Sequence, residues 1–144
     1  MDIEYKSFAR LLHSTSRALR AAIDRRLKYL GLSQASWVAV AAIASAPSPL
    51  SQSELAQVLG VEGATIVTMV DRLVKTGLVQ RIPTSADRRK KLLIVTADGK
   101  ALYVKVRSEA DAIGKEILEN VDPSQMQAVM RVLAQVHAAA ESLS

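Results

Sequence analysis

Apolar positions recur along this chain with two different periods, and the changes of period mark out its parts. Near residues 5 to 30, Phe8, Leu11, Leu12, Leu19, Ile23, Leu27 and Leu30 fall at helical spacing, which predicts a long amphipathic helix. Gly31 supplies its stop. Ser33 can cap a second helix running to about residue 45, so rich in Ala and Val that burial on most sides is expected. Pro47 and Pro49 then break the chain. Ser51-Gln52-Ser53-Glu54 has the form of a capping box, in which side chain and backbone satisfy each other's orphan donors. It opens a third helix, with Leu55, Val58 and Leu59 expected inward and Gly60 at its end. A fourth helix is predicted from about residue 62 to 76, stopping at Gly77. There the period shortens. Residues 78–82 and 92–96 are short β-forming segments. The loop between them, beginning Pro83-Thr84-Ser85, is too long for a two-residue hairpin turn. Helical spacing then returns. Thr96 can cap a helix over about 97–119, whose stripe is Leu102, Val106, Ala110, Ile113 and Ile117. Asp122-Pro123, an N-cap followed by Pro at the first helical position, opens a last helix. Met126, Val129, Met130, Leu133, Val136, His137 and Ala140 share one side of it.

Helix, turn, helix and a two-stranded hairpin make a winged helix-turn-helix. The expected fold is mainly α with a small β-hairpin. Residues 33–97 form the winged helix-turn-helix DNA-binding region, and residues 1–32 and 98–144 form a helical dimerisation region from both termini. At 144 residues these are expected to be parts of one chain-wide domain. The major groove admits one α-helix, whose outward side chains reach base edges, while the helix before it braces across the backbone. The terminal helices lie outside that module, and their apolar faces need each other and a second subunit. A two-fold dimer also suits DNA, since it places two recognition helices about 34 Å apart on a pseudo-palindrome.

Charge sharpens this picture. Between Asp71 and Lys91 stand seven basic residues (Arg72, Lys75, Arg81, Arg88, Arg89, Lys90 and Lys91) and two acids, Asp71 and Asp87. That segment nets +5, which is the charge of the whole chain, so the remainder is balanced. Basicity confined to one helix and the hairpin after it is what a surface meeting a polyanion requires.

Composition removes other classes. Aromatics are 3% and scattered, so a stacking platform for single-stranded bases is disfavoured. The absence of Cys excludes disulfides, thiol switches and zinc-thiolate sites. The N-terminus lacks a signal-peptide pattern, and the longest apolar run, residues 37–44, is too short to span a bilayer. The expected location is the cytoplasm, in association with the nucleoid. No Ser/His/Asp set, glycine-rich phosphate loop or carboxylate pair is recognisable, so catalytic residues, a cofactor and a metal are not expected. His13 and His137 show no metal-site spacing.

On the fourth helix, Ile66, Val70, Leu73 and Val74 are core by spacing, and Ala64, Thr65, Val67, Thr68 and Arg72 share the other side. Thr65 and Thr68 can donate to phosphates or bases and touch a thymine methyl. Ser51, Gln52 and Ser53 open the bracing helix, where phosphate contact and simple capping both explain the serines.

These residues resemble the MarR family of bacterial transcription regulators, closest to its SlyA branch. The resemblance is carried by Leu32-Ser33-Gln34-Ala35-Ser36-Trp37 and by Val70-Asp71-Arg72-Leu73-Val74-Lys75-Thr76-Gly77-Leu78-Val79. It continues through Asp87-Arg88-Arg89-Lys90-Lys91-Leu92 and Leu93-Ile94-Val95-Thr96-Ala97-Asp98-Gly99, in order along essentially the whole chain. It implies homodimers bound to pseudo-palindromic operators in double-stranded DNA, usually as repressors. It also implies release by a small phenolic or aromatic acid that enters a cleft between the dimerisation and DNA-binding regions.

Position by position, Arg89 is the expected minor-groove arginine, with Asp87 folding onto a neighbouring Arg to shape the wing. Arg88, Lys90 and Lys91 are either phosphate contacts or solvated. Thr68 stands where SlyA-like proteins commonly carry Arg, so a bidentate guanine contact is missing and readout through thymine methyls and groove shape gains weight. Trp37 sits where the family has its pocket aromatic, Arg17 and Arg20 where an Arg meets a carboxylate, and His13 and Met69 can line the same cavity. The competing reading is a SlyA-like anti-silencer or architectural activator without a dedicated ligand.

Overall fold

The computed structural model describes residues 4–84 and 90–143. Within them lie six α-helices and three short strands. Two compact units are formed, Met1–Asp111 and Ala112–Ser144, and the division falls inside one long helix.

In the first unit, α1 (Tyr5–Arg26) stops earlier than its apolar spacing predicts. The Leu27 amide is shared between the carbonyls of Ile23 and Asp24, and the chain tightens into a 3₁₀ turn, Lys28–Leu30. That tightening satisfies carbonyls an α-helix would leave open at its end. It also delivers Leu27, 1% exposed, to the core.

α2 (Gln34–Ser45) begins where Ser33 accepts a hydrogen bond from the Ser36 amide. Trp37, Ala39, Val40 and Ile43 are buried, and α1, α3, α4 and the sheet all pack on this helix. An apolar surface on most sides suits such a central place. The Trp37 indole donates its N–H to Asp24 of α1 at 2.9 Å, so the buried ring keeps a polar partner.

α3 (Gln52–Leu59) opens on the expected capping box: Ser51 accepts from the Glu54 amide, and the Glu54 carboxylate accepts from the Ser51 amide. Its buried face is Leu55 and Ala56, with Leu59 half-buried, and Val58 instead points outward at 63% exposed. At about 100° per residue, Val58 lies far from the centre of a face set by 55, 56 and 59. Gly60 turns the chain at φ 67°, in the left-handed region that a side chain resists, and so separates α3 from α4 (Gly63–Lys75).

The predicted two-stranded wing is part of a three-stranded antiparallel sheet. β2 (Val79–Pro83) and β3 (Lys91–Val95) pair with Val79 opposite Val95 and Arg81 opposite Leu93, each shifted by one residue from the expected bounds. β1 (Leu50–Ser51) adds to the other edge of β3. Two residues are too short for period-two patterning to announce them. β1 exists because β3 offers an unpaired edge to it.

α5 (Ala97–Leu118) starts at Thr96, whose hydroxyl accepts from the Gly99 amide and donates to the Gly77 carbonyl. Leu102 and Val106 are buried as predicted, as is Ile113 further along, whereas Ile117 is exposed. In the second unit, Asp122 caps α6 (Pro123–Ser142) by accepting from the Ser124 amide, with Pro123 at the first turn. No residue of α6 is buried: Met126 and Leu133 are half-covered, while Val129, Met130, Val132 and Val136 are open.

Candidate nucleic-acid interface

The residues expected to read DNA lie on the outer side of α4. Ile66, Val70 and Leu73 face the core and Val74 is half-buried, leaving Ala64, Thr65, Val67, Thr68 and Arg72 exposed. The helix separates its faces as its spacing predicts. Thr68 also donates to the Ala64 carbonyl at 3.3 Å, a local bond that fixes its hydroxyl when nothing else is bound.

A second group gathers at the start of α3. Ser51, Gln52, Ser53, Arg81, Lys90 and Lys91 line one open groove of about 530 Å³. Two separate consequences of the fold bring them together. The capping box uses the hydroxyl of Ser51, itself only 4% exposed, and leaves Ser53 exposed in the first turn of α3, while the β2–β3 pairing carries Lys90 and Lys91 beside it. Glu54 completes the capping box beside this groove. Its carboxyl lies below the ordinary glutamate value, chiefly through hydrogen bonds from Ser51, with a smaller contribution from Lys90.

Arg81 links the two groups. Its Nε donates to Gln52 Oε1 of α3 at 2.9 Å, and its Nη2 donates to the Asp71 carboxylate of α4. By sequence alone Arg81 is one more charge of the basic segment. The available signal was strand parity, since Arg81 shares a face of β2 with buried Val79. Asp87, Arg88 and Arg89 lie outside the described residues.

Residues expected to hold a ligand are distributed differently. Met69, Arg20, Gln34, Ala35 and Val38 line a small cavity of about 180 Å³ with Leu59 and Val61. Met69 also borders a larger cleft of about 430 Å³, made by Ser33, Ala35 and Ser36 of the α2 start and by Ala64, Thr65, Thr68 and Arg72 of α4. Trp37 lines neither; it is 5% exposed in the core. His13 and Arg17 are exposed on α1 and line neither cavity. Among the described residues no group of three or more His, Cys, Asp or Glu is placed to hold a metal ion, and no helix is long and apolar enough to cross a membrane.

Comparison with known proteins adds the family. The MarR family pattern matches residues 30–90. The transcriptional regulator PA3341 is 38% identical, with 94% of this chain and 99% of that one covered at a TM-score of 0.87. The transcriptional regulator SlyA shares the fold at 17% identity, covering 92% and 93% of the two chains with a TM-score of 0.80. A putative MarR family regulator from Listeria monocytogenes, solved as a complex with a 26mer DNA, shares it at 21% identity, covering 96% and 89% with a TM-score of 0.80. With its winged helix-turn-helix in place and a close relative matched from end to end, this chain belongs to the MarR family of transcriptional regulators.

Proposed function

We propose that this regulator binds double-stranded DNA sequence-specifically as a homodimer and represses transcription until a small phenolic or aromatic acid releases it. One observation carries the DNA-binding part. Arg81, which lines one groove with Ser51, Ser53, Lys90 and Lys91, also bonds Asp71 on the exposed side of α4. In this reading Ala64, Thr65, Thr68 and Arg72 meet base edges or phosphates in the major groove, and the serines and lysines hold the backbone on either side. Arg88 and Arg89 extend the contact from the wing, Arg89 into the minor groove, with Asp87 shaping the turn. The DNA complex of the Listeria relative supports the same use of the fold.

The dimer is supported by apolar side chains left open on helices of both termini: Tyr5, Leu11, Leu12 and Leu19 on α1, and Val129, Met130, Val132 and Val136 on α6. Large exposed apolar faces of this kind mark association surfaces. For the effector, the cleft of about 430 Å³ falls in the size range of small-molecule sites and has Arg72 to meet a carboxylate. The smaller cavity offers Arg20 for the same role. An acid seated in the larger cleft would cover Thr65, Thr68 and Arg72, which are also the proposed DNA contacts.

Selection of bound duplexes from a random pool, at near-physiological salt, tests this function. One recovered palindrome, with half-sites about one helical turn apart, establishes a dimeric sequence-specific regulator. Recovery of only AT-rich duplexes instead points to the architectural, anti-silencing reading. Adding salicylate or a related aromatic acid to the recovered complex then tests release.

A further inference from the structure

We propose that Arg81 is a positioning residue for DNA recognition. It clamps Gln52 of the bracing helix and Asp71 of the recognition helix to the wing, so that the three elements meet DNA as one rigid surface. The inference rests on the DNA-binding reading above and adds to it a residue that acts through its neighbours rather than on phosphate.

Four observations carry it. Strand parity puts Arg81 on the inward face of β2, and its side chain is 24% exposed, unlike a cation presented to solvent. Its two bonds diverge to different helices, Nε to Gln52 and Nη2 to Asp71. A planar guanidinium fork can hold both in fixed geometry, whereas a lysine ammonium on a flexible stem cannot. Asp71 is an acid on the surface that would face DNA, 60% exposed, and Arg81 pairs its charge. Left alone, that carboxylate would repel phosphate. Lastly, Gln52 spends its amide oxygen on Arg81, which leaves the amide nitrogen as the group offered to the groove. That nitrogen is a donor, the polarity a phosphate oxygen needs. Arg81 thus removes a repulsive charge, orients a donor and locks the angle between α3 and α4.

The test uses the full-length protein and the duplex recovered by selection, with binding followed by fluorescence anisotropy across a salt series. Arg81→Lys and Arg81→Gln are each expected to weaken binding about tenfold while the slope of log affinity against log salt stays at the parent value. Lys91→Gln, as a phosphate-contact control, is expected to lower that slope by about one unit. Asp71→Asn supplies a test of sign. It makes the surface more positive, which by charge alone tightens binding, yet loss of the clamp is expected to weaken binding several-fold. The Asp71→Asn, Arg81→Gln double variant is expected to bind no worse than Arg81→Gln alone.

Full affinity in Arg81→Lys, a one-unit loss of slope in Arg81→Gln, or tighter binding by Asp71→Asn would each overturn the proposal and make Arg81 an ordinary phosphate contact or a bystander. If the parent protein recovers no duplex, it is the DNA-binding reading that has failed. The clamp is then judged by amide hydrogen exchange, where Arg81→Lys is expected to speed exchange in α3 and β2, and unchanged exchange refutes it.

Discussion

Replacing Gly99 by Ala puts the junction between the wing and α5 to the test. Gly99 is buried at the third position of α5, and a Cβ there would lie well inside contact distance of the Leu78 carbonyl oxygen, and 3.1 Å from Val95 Cβ. The obstacle is backbone rather than the flexible end of a side chain, so something structural has to move. The same Leu78 carbonyl accepts from the Thr96 amide at 3.1 Å, and Thr96 in turn caps the Gly99 amide. Overpacking of this kind costs about 1–3 kcal/mol. A disturbed cap and backbone bond add about 1 kcal/mol each. Against this, Ala gains up to about 1 kcal/mol of helix propensity over Gly, less in a first turn. The expected net is a loss of about 2–4 kcal/mol, or a fall in Tm on the order of 7–13 °C for a chain of this size. Gly114 is the control. Nothing stands within 4 Å of a Cβ built there, so Gly114→Ala is expected to gain about 0.5–1 kcal/mol. Both would be read by circular dichroism melts and denaturant titration at one fixed protein concentration, because association shifts apparent stability. A Gly99→Ala protein that melts with the parent or above it would refute the close-approach argument.

Three further outcomes are expected. Asp24→Ala leaves the buried Trp37 indole N–H without its partner, which costs about 1–3 kcal/mol; the single tryptophan reports it directly, and an unchanged emission maximum with unchanged stability would show the bond to be dispensable. The Glu54 carboxyl sits below its ordinary value because Ser51 bonds its charged form, so its contribution to stability is present above the unfolded glutamate value and is lost as pH falls through the lower folded one. Glu54→Gln, which keeps a capping-box side chain, should flatten the loss of stability below about pH 4.3; an acid titration superimposable on the parent's counts against it. Deleting residues 123–144 removes the exposed apolar face of α6 and should abolish dimers by analytical ultracentrifugation, whereas a shortened chain that still sediments as a dimer removes α6 from the interface.

Much of this molecule is written in local chemistry, and that part is legible without coordinates. The capping box at Ser51, the caps at Ser33, Thr96 and Asp122, and the stop at Gly60 depend on residues at most four positions away. The two faces of α4 follow from a single period, so Ile66, Val70 and Leu73 separate from Thr65, Thr68 and Arg72 by arithmetic alone. Where neighbours far along the chain decide, sequence reading stops. β1 is a strand only because β3 has an edge to share. Val58, expected inward, points out while Ala56 is buried, because a short helix sets its buried face by what packs on it. Trp37, which family resemblance offers to a ligand, is enclosed in the core and tied to Asp24, 13 positions earlier. Arg81 shows the difference most clearly. The sequence by itself determined its type, its strand and its place in a basic segment. Only the tertiary structure decided that its charge is directed to Asp71 and Gln52, because those partners lie 10 and 29 positions away and meet it only when both helices pack against the wing.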